Sequence, residues 1–194
     1  MMSSRELALG MIGVWRLARS DAYGAQYLDR SNEGALRSFG IMVLLAPAHA
    51  LLALMQIEAL HLDGIGLRTI LLFALFYVVD WLYFPVLVLK VAPLMGRGAG
   101  FAGYVAAYNY AHVMIYALVL GAHAIASTLG EGLGAILFML TLATVAVIHF
   151  RLLRQMMELP APQAGLLVFA GLSLSFALNG LLRALLLVGG AQGA

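Results

Sequence analysis

Long apolar stretches alternate along the chain with short polar breaks, and the lengths of those stretches define the elements. A helix needs roughly 20 mostly apolar residues to cross the hydrocarbon core of a bilayer. Five stretches reach that length: 39–60, 67–94, 100–129, 133–157 and 163–189. Between them lie "HLDGIG", "GRGAG", "GEGLG" and "ELPAPQAG", whose glycines and prolines interrupt helices. The predicted fold is all-α: a polytopic membrane bundle of five transmembrane helices over 38–194, preceded by an arm over 1–37.

The arm has a different pattern. Ser3 and Glu6 have the spacing of a capping box, in which each side chain satisfies a free amide of the first helical turn. Leu7, Met11, Val14, Trp15 and Ala18 then share one helical face, with Arg5, Arg16 and Arg19 off it. This predicts an interfacial amphipathic helix, with Trp15, Arg16 and Arg19 at the membrane surface and membrane lipid as its partner. The alternative is an arm docked on its own protein.

Composition reinforces the bilayer reading. Of 194 residues, 63% are hydrophobic and 10% charged, against about 25% charged in a soluble domain. Cysteine is absent, which removes disulfides, thiolate metal sites and cysteine nucleophiles. No cleavable signal is expected, because the first apolar run, 7–17, is short and broken by Arg16. The net charge of +2 matters less than its distribution. Arg5, Arg16, Arg19, Arg30, Arg37, Lys90, Arg97, Arg151 and Arg154 fall at one end of the predicted spans, whereas Arg68 and Arg183 belong to the other. By the positive-inside rule the amino terminus is cytoplasmic and the carboxyl terminus outside, as expected of a multi-pass protein of the cell inner membrane.

Polar residues within the spans are the candidates for chemistry. In "YNYAHVMIYALVLGAH" (108–123), His112 and His123 are separated by eleven positions, only about 20° apart on a helical wheel. Tyr108, Asn109 and Tyr116 fall in the same sector. Such an edge belongs against other helices or a wet cavity, since polar groups in lipid are costly. His49, Asp80, His112 and Asn179 come out near mid-depth, and Arg183 in the outer half. Asp80 is expected to be paired, protonated or hydrated, with His112, His49 or Arg183 as partner. Gly171, Ser175 and Asn179 recur every four residues, as do Ala107 and Ala111, the spacing of close helix contacts.

Histidine placement permits a cofactor. His49 and His61 are twelve apart on one predicted span and its end; His112 and His123 are eleven apart on another. Two such parallel helices could hold haem b by bis-histidine ligation, the alternative to no cofactor. Hydrolase motifs of the G-x-S-x-G and H-E-x-x-H kinds are missing from the sequence, "GRGAGFAG" follows no strand, and no basic soluble domain is present to bind nucleic acid.

A cytoplasmic arm followed by five spans resembles the Yip-domain family of Rab-interacting membrane proteins. "DAYGA", at 21–25, resembles that family's D-L-Y-G-P motif, with alanine in place of leucine and proline. "GY", Gly103 and Tyr104, resembles its glycine–tyrosine motif in the third span. The resemblance implies a non-enzymatic membrane protein, of a family whose eukaryotic members act in vesicle trafficking with small GTPases. The role expected here is a scaffold of that kind, or an accessory subunit, that binds lipid, another membrane protein or itself. The residues also allow a proton- or small-solute-coupled transporter built on Asp80, His112 and His49, because histidine titrates near neutral pH.

Overall fold

The computed structural model describes residues 2–60, 65–96, 98–129 and 131–190; His61 and Arg97 lie outside them. Seven helices follow in order: α1 (Ser4–Ala18), α2 (Asn32–Ser38), α3 (Gly40–Ala59), α4 (Leu67–Val91), α5 (Phe101–Leu129), α6 (Glu131–Met156) and α7 (Ala161–Gly190). Short 3₁₀ turns form at Ala22–Tyr27 and Pro93–Met95, and no strand occurs among the described residues. Five helices are long and apolar enough to cross a membrane, an all-α bundle with the predicted spans.

The long helices close into a ring. α3 packs on α4 and α5, α5 on α6, α6 on α7, and α7 returns to α4. The small residues have the expected use inside the protein. A β-carbon on Gly171 would collide with the Phe84 ring, so glycine lets α7 approach α4. Ala107 and Ala111 are fully buried on α5.

Two prolines interrupt the backbone bonding of these helices in the same way. Pro47 lies within α3 and Pro85 within α4. A proline ring crowds the carbonyl four residues back and removes one backbone bond. Five residues before each proline, a tyrosine from a neighbouring helix donates to a carbonyl: Tyr77 to Met42, and Tyr108 to Asp80 at 3.4 Å. The carbonyls left without a helical donor are the next ones along, those of Val43 and Trp81, so each phenol ties a neighbouring helix to the turn just before the interruption.

The arm is docked on its own protein, which corrects the lipid-facing expectation for most of its apolar face. Gly10, Gly13, Val14, Leu17 and Ala18 are buried against α5, α6 and the 3₁₀ turn. Of the predicted face only Trp15 is exposed, at 55%. The end of α1 is held by α6: Arg151 donates to the carbonyl of Ala18, and Gln155 to that of Leu17 at 2.8 Å. These bonds satisfy carbonyls that a helix end leaves free and place a cation at its negative pole. The capping box is half formed. The Glu6 amide donates to Ser3 Oγ at 3.1 Å, but the Glu6 carboxylate accepts from Arg37 at 3.2 Å. Arg37 also donates to Asp29 at 2.5 Å, tying α1, the following loop and α2 together. The described residues of the arm thus share the core of the five long helices: Val14, Leu28 and Ala35 belong to the same buried cluster as Tyr104 and Leu152.

The residues of "DAYGA" have internal work. Asp21 caps the 3₁₀ turn by accepting from the Tyr23 amide at 3.0 Å and from Arg16 at 2.6 Å. Gly24 meets α1 so closely that a β-carbon there would strike the Gly13 carbonyl and Leu17.

Candidate functional site

The ring of five spans encloses a partly open cavity of about 620 Å³. Asp80 and Tyr83 reach it from α4, His49 from α3, Tyr108, His112 and Tyr116 from α5, His149 from α6, and Ser175, Asn179 and Arg183 from α7. Six of the seven residues expected in a polar cluster therefore meet around one space. Its volume is that of a small-ligand pocket, typically about 300–1,000 Å³.

Asn109 is the exception. It is fully buried on another side of α5, where its amide donates to Ser38 Oγ at 2.8 Å and Ser38 donates in turn to the Ala35 carbonyl at 2.6 Å. That chain fastens α2 to α5. Three positions separate Asn109 from His112, about 60° on the wheel; α2 fills that direction, and the cavity lies elsewhere.

Aromatic rings build the cavity's arm-side floor. His112 lies against Trp81 with ring centroids 4.3 Å apart and planes 26° apart. His149 stacks on Tyr108 at 5.5 Å and leans on Phe84 at 5.0 Å. Trp81, Phe84, Tyr104 and Tyr108 are buried to within 1%, so this end is sealed. His149 was legible as a polar residue within a span, but nothing in its own helix indicated that it would face His112, 6.5 Å away. The same holds for Trp81, which read as an ordinary apolar position, whereas Tyr108 already fell in the polar sector of α5.

Hydrogen bonding assigns the His112 imidazole. His112 Nδ1 lies 2.9 Å from the Tyr108 carbonyl. A carbonyl only accepts, so this nitrogen carries the proton and Nε2 is left as an acceptor in the neutral ring. His49 Nδ1 meets the Tyr116 hydroxyl at 3.2 Å, and its ring stacks on Tyr77 at 4.3 Å.

Asp80 meets none of the three partners expected for it, His112, His49 or Arg183. Among the described residues no hydrogen bond or ion pair reaches its carboxylate; His112 and His49 use their Nδ1 atoms elsewhere. Contact of Gly171 with Phe84 sets the antiparallel register of α4 and α7. Counting from there puts Ser175 level with Asp80, and Arg183 about 12 Å further from the arm. Arg183 is a rim residue.

Of the four histidines considered for haem, His49 and His112 share the cavity. His123 is exposed and holds the Val119 carbonyl of its own helix at 2.9 Å. His61 falls outside the described residues. In the arm, Arg16 bonds Asp21 and the Tyr27 hydroxyl, the latter at 3.0 Å, whereas Arg19 lies over the exposed Trp15 ring, 5.9 Å from its centroid.

Compared with known proteins, the chain matches no family model, no curated protein and no solved structure.

Proposed function

We propose that this protein is a non-enzymatic carrier of a small solute, loaded from the membrane face opposite the arm. The single observation that carries the reading is the cavity. It gathers Asp80 and three histidines from four helices, has an aromatic floor on the arm side, and reaches toward the other end through Gln56 and Arg183. A scaffold or accessory subunit needs no such space inside its bundle; filling it with side chains would stabilise the fold. An intramembrane carboxylate is costly to keep without a role. The Yip-domain likeness rests on Asp21, Tyr23, Gly24, Gly103 and Tyr104. Asp21, Gly24 and the fully buried Tyr104 have packing or capping work within this chain, and that work supplies no argument for a GTPase partner.

With nine of eleven basic residues at the arm end, the reading places the arm in the cytoplasm and the cavity mouth on the outer face of the inner membrane. Because the chain has no cysteine, single cysteines report access directly. Asn179→Cys at the cavity should react with a membrane-impermeant maleimide added from the outer face. Gln26→Cys in the arm should react only from the cytoplasmic face. An Asn179→Cys side chain that reacts from the arm side, or from neither side, overturns the proposal.

A further inference from the structure

We infer that the solute taken by this cavity is a small organic cation, an amine or quaternary ammonium with apolar substituents. The inference rests on the carrier reading and adds to it the chemical class of the ligand.

Electron-rich groups dominate the deep part of the cavity. Asp80 contributes a carboxylate to which no hydrogen bond or ion pair is directed among the described residues. In the neutral ring held by Tyr108, His112 presents Nε2 as an acceptor. Tyr83 and Tyr116 surround the same depth, and Phe73, Phe76 and Phe176 continue the wall outward. Aromatic faces carry negative quadrupole density and attract cations, most strongly where water is excluded. Carboxylate and rings therefore act in the same direction, toward a positively charged guest with an apolar body.

Among the described residues that line the cavity, Arg183 is the single fixed cation. It lies about 12 Å outward of the level of Asp80, which leaves room for a monocation of ordinary size between them. An anionic guest placed deep enough to fill the aromatic part would face Asp80 instead, and it would gain nothing from the rings. A neutral guest would leave the carboxylate without a counter-charge.

Two probes of one shape and opposite sign decide the point: tetraphenylphosphonium and tetraphenylborate. In Asn179→Cys protein reconstituted in nanodiscs, tetraphenylphosphonium should slow maleimide labelling, and tetraphenylborate should not. Direct binding of radiolabelled tetraphenylphosphonium to the cysteine-free protein should weaken about tenfold or more in Asp80→Asn, as when a charged partner of a desolvated group is neutralised. Asp80→Glu should retain most of it. Equal protection by the two probes, or binding unchanged in folded Asp80→Asn, overturns the cation assignment. If Asp80→Asn does not fold, the comparison of the two probes decides alone. Labelling that proceeds normally without protection by the cation refutes the ligand class and leaves the carrier reading standing. Failure of Asn179→Cys to label from the outer face removes both.

Discussion

The Trp81 indole lies on the His112 imidazole, with centroids 4.3 Å apart and planes 26° apart. This pair joins α4 to α5 at the floor of the cavity, and Trp81 has no exposed surface. Stacked aromatic pairs contribute about 0.5–1.5 kcal/mol beyond the area they bury. Trp81→Ala should therefore destabilise the bundle by about 3–5 kcal/mol, the range for truncating a fully buried large aromatic. Trp81→Phe should lose clearly less. Reversible unfolding in mixed micelles measures both, and near-equal losses would show that the indole's volume is not what the site uses.

The arm gives a steric prediction. Gly24 touches the Gly13 carbonyl and Leu17 of α1 with no room for a methyl group. Gly24→Ala should cost about 1–3 kcal/mol through overpacking and loosen the arm. Limited trypsin digestion should then cut faster after Arg16 and Arg19, while cleavage at Arg154 on α6 stays as it was. Unchanged cleavage in the arm would mean that α1 is held chiefly by other contacts.

Arg151 and Arg154 are one turn apart and should behave differently. Arg151 donates to the Ala18 carbonyl at the end of α1; Arg154 is exposed. Arg151→Gln removes a charge-assisted bond to a helix end, worth about 1–3 kcal/mol. Arg154→Gln should change stability by less than about 0.5 kcal/mol. Thermal unfolding of the two variants side by side is the check, and equal shifts would contradict the capping role.

Acid should release the arm before it affects the spans. Bonding from Arg16, then from the Tyr23 amide, holds the Asp21 carboxyl below its ordinary value. Asp29 is lowered by Ser31 and then by Arg37. A carboxyl with a depressed folded pKa adds stability that is fully present above its ordinary value near 3.8 and is lost as pH falls through the lower folded value. Amide exchange over α1, corrected for intrinsic rates, should be equally protected at pH 7 and pH 5. Protection should fall below about pH 4. Asp21→Asn should give the weaker arm at pH 7 and pH 5, a difference that closes as acid neutralises the wild-type carboxyl. Loss of protection between pH 7 and pH 5 would point to a different titrating group.

Much was legible before any coordinates. The five spans coincide with α3 to α7 to within a few residues. Span length and breaker chemistry follow from the cost of unsatisfied backbone and charge in hydrocarbon, and that cost is charged residue by residue along one dimension. The inward placing of Asp80, His112, His49, Tyr116, Asn179 and Arg183 follows from the same rule. Only the tertiary structure decided which of these groups meet. Wheel geometry gave α5 a polar sector but could not say that α2 would take Asn109 from one side of it, or that lipid-exposed turns would keep His123. Ring closure by α6, a contact between helices remote along the chain, put His149 beside His112. Sequence leaves the arm a choice between lipid and its own protein, because an amphipathic face says only that it needs an apolar partner. Packing against α5 and α6 supplied that partner from within the protein, where matched glycines and side chains fit more closely than fluid acyl chains can.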